Sequence, residues 1–172
     1  RVLFRSQSMR FASLGSGSSG NSLVVEAGAS RVLLDCGFSV KGALERLGRL
    51  GLAAQDIAAI LVTHEHSDHV SGVSRFVGRF GTPVYLTHGT HAAMAHTLDR
   101  MPPFKLIDAA AVFSIGELDI QPFTVPHDAR EPVQYTFSDG NGRLGVLTDT
   151  GSITPHIVEV LQRSEERRVG KE

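Results

Sequence analysis

Ile60-Leu61-Val62-Thr63-His64-Glu65-His66-Ser67-Asp68-His69-Val70 is the stretch from which the rest of the chain can be read. The apolar run Ala58–Val62 reads as a short buried strand. Val70, Val73, Phe76, Val77 and Phe80 then recur on one helix face until Gly81. Between strand and helix, three imidazoles and a carboxylate fall within six residues as an H-x-H-x-D-H cluster. Rigid elements on both sides hold such a loop so that its side chains converge at a sheet edge. Imidazole and carboxylate donors suit zinc, iron or manganese, and the lack of thiolates argues against a closed structural zinc site. A lone histidine is ordinarily a surface or packed residue; this spacing points to metal, and to two divalent ions held side by side.

The surrounding chain is that of an ordinary globular domain: 172 residues, 41% hydrophobic and 20% charged. No apolar run approaches the roughly 18 residues of a membrane span, and no secretory leader is visible. Cys36 is the single cysteine, which excludes an intrachain disulfide and fits a cytoplasmic location. The ends differ from the middle. Residues 1–8 show no strand pattern, whereas Met9 opens one; residues 163–172 (RSEERRVGKE) are charge-dense without an apolar stripe. Both ends resemble adapter read-through rather than native sequence, so 9–162 is taken as the domain. The net charge is -1, and the ends contribute +2 and +1, so residues 9–162 carry -4. No basic excess of the kind common in nucleic-acid enzymes is present.

Working outward, Arg10–Leu14, Asn21–Glu26 and Arg31–Leu34 read as strands, the last two as a hairpin. Lys41–Leu50 and His88–Leu98 read as helices, and Pro83–Leu86 as a strand. Val112–Phe113, Leu118–Ile120 and Phe123–Val125 are short strand candidates. Val133–Phe137 and Arg143–Leu147 form a hairpin around Asp139-Gly140-Asn141-Gly142. Thr154-Pro155 opens a helix to Leu161. Strands, then helices, then strands predict a mixed α/β sandwich rather than a doubly wound sheet.

Two further ligand candidates follow strands: His127 in Val125-Pro126-His127-Asp128, and Asp149 in Leu147-Thr148-Asp149-Thr150-Gly151. With the histidine cluster they resemble the metallo-β-lactamase fold hydrolases. Met9–Ser22 (MRFASLGSGSSGNS), Leu33–Gly37 (LLDCG), Pro126–Pro132 (PHDAREP) and Leu144–Gly151 (LGVLTDTG) resemble the YycJ (WalJ) branch of that family. The resemblance runs from Met9 to Gln162. It implies a four-layer α+β sandwich with His64, His66 and His127 on a first metal and Asp68 and His69 on a second. Asp149 would bridge the two, and Asp35 would orient a histidine ligand through a hydrogen bond. Two zinc or manganese ions would share a hydroxide, with Asp68 or a bound water helping to protonate the leaving oxygen.

By the same resemblance the expected substrate is DNA, trimmed as by an exonuclease. The metal motif alone also admits a small-molecule hydrolase acting on a cyclic phosphodiester, lactone or thioester. One family feature is missing: no residue after Asp149 matches the late histidine of the second metal, since His156 lies too close and begins a helix. The chain therefore resembles the first half to two thirds of the family domain, with apolar sheet surface expected to be exposed. A truncated, inactive metal-binding fragment is a third expectation. Other features carry less. His88, His91 and His96 lie around one helical pattern, with His91 and His96 too far apart to share a face, and substrate contact is the minor reading for them; His156 reads as a surface residue, Cys36 as a small buried one. Gly15–Gly20 lacks the lysine of a phosphate loop and reads as a tight loop bordering the site.

Overall fold

The computed structural model describes residues 8–95 and 104–162, together with the backbone of 166–169. Six strands form the first sheet in sequence order: β1 (Arg10–Gly15), β2 (Ser22–Ala27), β3 (Ser30–Leu34), β4 (Ala59–Leu61), β5 (Val84–Thr87) and β6 (Phe104–Ile107). The first three pair antiparallel; β3 to β6 run parallel. Parallel neighbours need crossovers. Helix α1 (Val40–Arg49) lies in the first; α2 (Ser67–Val70) and α3 (Val73–Phe80) lie in the second. Helix α4 (His88–Met94) follows β5. The second sheet has the order β11-β10-β9-β8-β7, from β7 (Phe113–Ile115), β8 (Leu118–Thr124), β9 (Val133–Ser138), β10 (Arg143–Leu147) and β11 (Glu166–Val169). Helix α5 (Pro155–Gln162) follows β10.

The alternation of the strands divides the apolar residues into three cores. Val24, Leu33, Ile60, Val84 and Leu86 face Ala43 and Leu47 of α1 and Val73, Phe76 and Val77 of α3. Their neighbours Leu23, Val25, Val32, Leu34 and Leu61 point the other way. There they meet Leu118, Ile120, Val133, Tyr135, Phe137, Leu144 and Val146 of the second sheet. This is why every residue of β2 is buried: the first sheet is covered on both faces. Phe123, Val125 and Leu147 pack on Ile157, Val160 and Leu161 of α5. The layers are helix, sheet, sheet, helix, as the four-layer expectation has it.

Three local expectations are corrected, and strand β6 is added. The helix foreseen over Val70–Phe80 is two helices, broken at Gly72. A Cβ there would lie 1.9 Å from the Phe38 carbonyl oxygen, and the Gly72 N–H donates to Cys36 O (2.9 Å). The strands foreseen at Leu118–Ile120 and Phe123–Val125 are one strand, β8, which runs through Pro122. Proline is tolerated because β7 pairs only with Leu118–Ile120, so β8 is locally an edge beyond that point. Strand β6 was not foreseen at all. Finally, the outer face of the second sheet beyond α5 is polar rather than apolar. Arg143 donates to Gln121 and Thr136, and Gln134 bonds Thr148. The part of the expected helix at 96–98, with His96, lies outside the described residues. Strand β11 sets Glu166–Val169 parallel to β10, in a segment whose sequence suggested no element.

Candidate metal centre

Strands β3, β4, β8 and β10 all deliver their C-terminal ends to one edge of the sandwich. Asp35 follows β3, Thr63–His69 follow β4, His127 follows β8 and Asp149 follows β10. The loops are tied together there. The Val133 N–H donates to Thr63 O (3.0 Å), and the Arg130 N–H donates to Glu65 Oε1 (2.7 Å). These bonds draw the His127 loop onto the histidine cluster, 61 residues away in sequence.

His64 Nε2 and His66 Nδ1 are 3.1 Å apart, and His127 Nε2 and His66 Nδ1 are 3.2 Å apart. The other ring nitrogen of each histidine has an acceptor. His66 Nε2 lies 3.1 Å from the Asp128 carbonyl oxygen, and His127 Nδ1 lies 3.2 Å from Asp128 Oδ1. His64 Nδ1 lies 2.9 Å from Thr63 Oγ1, whose own proton goes to Asp35 Oδ2 (2.8 Å). A carbonyl can only accept, so this network places all three ring protons on the outside. Three imidazole lone pairs then face one another, which is repulsive unless a cation lies among them. Zinc–nitrogen bonds in a tetrahedral site set donors about 3.3 Å apart, so the spacing fits a metal.

A second group, His64, His69 and Asp149, also brings one donor atom from each residue to within 4.8 Å of the others. His69 Nδ1 is bound to Asp35 Oδ2 (2.7 Å), which turns His69 Nε2 toward Asp149 Oδ2 (2.8 Å) and Asp68 Oδ2 (3.5 Å). The two groups share His64. Their electrostatics differ. Burial, reinforced by the charges of His69, His127 and His66 against an opposing Asp35, pushes His64 down to about 4. It is neutral and ready to donate near pH 7. For His69, burial acts downward, but Asp35, by charge and hydrogen bond, then Asp149 and Asp68 overcome it and push the imidazole up to about 9. A cation replacing the Nε2 proton would meet the same donors.

The Metallo-beta-lactamase superfamily profile matches residues 15–167. The chain belongs to that superfamily. Among curated relatives it is 34% identical over 156 residues to the exodeoxyribonuclease YycJ of Bacillus anthracis, covering 90% of this chain and 59% of that protein. It is 31% identical over 160 residues to the exodeoxyribonuclease WalJ of Streptococcus pneumoniae serotype 2, covering 91% and 60%. The chain thus spans about 60% of the length of these relatives. A solved metallo-beta-lactamase fold protein, YhfI from Bacillus subtilis, superposes with a TM-score of 0.75 at 15% identity, over 92% of this chain and 69% of that one.

Within this superfamily member, every metal residue foreseen from the sequence lies at the one sheet edge. His64, His66 and His127 form the first group; His69 and Asp149 join His64 in the second, with Asp68 beside them. Asp35 is 2% exposed and sits with φ 60, a left-handed conformation that Asp tolerates better than most residues. It accepts from Thr63 N, Thr63 Oγ1 and His69 Nδ1. His88 and His156 are exposed, and His91 packs on Phe104. None of these three belongs to either group. Cys36 is fully buried, and burial pushes its thiol up to about 12. Among the described residues no helix is long and apolar enough to cross a membrane.

Asp35 apart, sequence reasoning missed the residues that hold the ligands. Thr63 stands immediately before the first histidine and relays His64 to Asp35. Gln134, 1% exposed, accepts from Thr148 N (3.2 Å) and donates to Thr148 Oγ1 (2.9 Å), fixing the backbone beside Asp149. Asn21 closes the Gly15–Gly20 loop and touches Asp68. The only sequence signal for these was the loop itself, which does border the site.

Proposed function

We propose that this chain carries the metal centre of a metal-dependent phosphodiesterase that removes nucleotides from a DNA end in the cytoplasm, using two divalent cations, zinc or manganese. The observation that carries the reading is the pair of donor groups sharing His64, with the outward nitrogen of each first-group histidine tied to an acceptor. The names of the YycJ and WalJ relatives support DNA as the substrate. His64, His66 and His127 would hold one cation, and Asp68, His69 and Asp149 the other, with Asp149 reaching between them. Bound there, the cations would supply Lewis acidity to the phosphodiester and lower the pKa of a water.

The protein's own part is positional and protonic. Asp35 keeps the His69 proton on Nδ1, so Nε2 stays a donor. Asp68 has Oδ2 engaged by Asn21 and His69, and its other oxygen would hold or release a proton at the leaving group. The test is incubation of the protein with end-labelled DNA and Mn²⁺ or Zn²⁺. Nucleotide release that EDTA stops and His64→Ala abolishes supports the reading. Full activity in His64→Ala overturns that assignment. Untouched DNA with turnover of a small phosphodiester or lactone favours a small-molecule hydrolase. Metal uptake with no turnover favours an inactive metal-binding fragment.

A further inference from the structure

We infer that Asn21 is a positioning residue that fixes the Asp68 carboxylate, and through it the second metal position; this rests on the two-metal reading above. Asn21 is 9% exposed and ends the Gly15–Gly20 loop just before β2. Its amide orientation is settled by its partners. Oδ1 accepts from the Gly17 N–H (2.9 Å), so Nδ2 must face the acceptors: Asp68 Oδ2 (2.8 Å) and Gly17 O (3.2 Å). Nδ2 also lies 3.1 Å from His69 Nε2, the nitrogen that faces Asp149. The backbone adds two bonds: Asn21 N–H donates to Asp68 O (2.7 Å), and Asn21 O accepts from Gly37 N (3.0 Å).

The side chain therefore spans two tasks. Its oxygen holds the turn at Gly17, and its nitrogen holds one carboxylate oxygen of Asp68. A carboxylate pinned at Oδ2 loses its freedom to rotate about the last side-chain bond, which is broad for Asp. Asp68 needs that restraint more than the histidines do, because its side chain is 30% exposed and, among the described residues, its carboxylate is engaged by Asn21 and His69 alone. Supports of this kind around a metal site are worth 10–100-fold in affinity. The first group, built on His64, His66 and His127, shares no hydrogen bond with Asn21 among the described residues and is predicted to be indifferent to it.

The experiment is zinc titration of the purified chain against a competing chelator, with metal counted by elemental analysis, for wild type, Asn21→Leu and Asn21→Ser. Leucine matches the volume and removes the donor. Serine is small enough to be accommodated, keeps the backbone bonds and cannot reach Asp68. The expected result is two zinc ions in wild type, with the weaker one bound at least tenfold less tightly in both variants and the tighter one within about twofold. Two ions held with wild-type affinities in either folded variant overturn the inference, as does an equal loss of both ions, which would make Asn21 a residue of the fold alone. A wild-type chain that takes fewer than two ions overturns the two-metal reading itself and is recognised without any variant.

Discussion

Replacing Asp35 with asparagine should disable the second metal position while leaving the shape of the site nearly unchanged. Asp35 Oδ1 accepts from the Thr63 N–H (2.8 Å), so the asparagine oxygen must take that place and its nitrogen must occupy the Oδ2 position. There it meets the protons of Thr63 Oγ1 and His69 Nδ1, both of which need an acceptor. The hydroxyl can turn away, but His69 must move its proton to Nε2, which removes the lone pair that faces Asp149 and Asp68. Without metal, His69 titrates near 9 in the fold against 6.5 as the ordinary value. A raised pKa of this size stabilises the fold by about 2.5 kcal/mol at pH 7. Its contribution is complete below about pH 6.5 and fades as the pH rises through 9. Asp35 supplies the larger share, and an unsatisfied buried donor adds a penalty, so Asp35→Asn should cost about 2–4 kcal/mol in EDTA at pH 7. The assay is urea unfolding in EDTA at pH 6, 7 and 9.5, followed by zinc titration of the folded protein. The difference from wild type should shrink by pH 9.5, and zinc affinity should fall about 10–100-fold. A variant with wild-type stability at pH 7 and wild-type zinc binding would refute the tautomer argument outright.

Three further outcomes follow from the same geometry. Gly37→Ala would place a Cβ 1.7 Å from the Asp68 carbonyl oxygen, so the start of α2 must shift; unfolding stability should drop by at least about 1–3 kcal/mol and zinc affinity with it, and an unchanged melting curve would count against the close approach. His127→Ala should remove the tighter zinc ion while shifting stability in EDTA by less than about 1 kcal/mol, because the residue is half-buried in a loop; a large loss in EDTA would mean that it serves packing. Leu47→Ala, at a fully buried position between α1 and the first sheet, should cost about 2–5 kcal/mol, measured by urea denaturation, without altering the number of zinc ions per folded chain.

The cluster at His64–His69 was legible because its ligands are neighbours in the chain, and a strand leading into a helix leaves them one local arrangement. His127 and Asp149 were legible as strand-end residues, and the resemblance to the superfamily gave them partners. Helix α1 was legible from Leu44, Leu47 and Leu50, and the turn at 139–142 from Asp139, whose Oδ1 accepts from Asn141 N and Gly142 N. Strand β6 was not, since Phe104–Ile107 shows no alternation that ends at recognisable turns and gains its bonds from β5. The break at Gly72 was hidden too, because the apolar stripe from Val70 to Phe80 keeps its helical period across it.

The sequence alone determined which chemistry gathers where: imidazoles and carboxylates after apolar strands, at spacings that local backbone geometry turns into a metal site. Only the tertiary structure decided which nitrogen of each histidine faces inward. That choice depends on acceptors supplied from elsewhere in the chain: the Asp128 backbone carbonyl for His66, and Asp35 for His69 and, through Thr63, for His64. Sheet register brings these groups to within about 3 Å of one another, and hydrogen bonds lose their hold over a fraction of that distance. No pattern along the chain encodes separations that fine, which is why Asn21, a quiet residue in the sequence, emerged as a partner of the donors only in the structure, and Asp35 was legible only through the family resemblance.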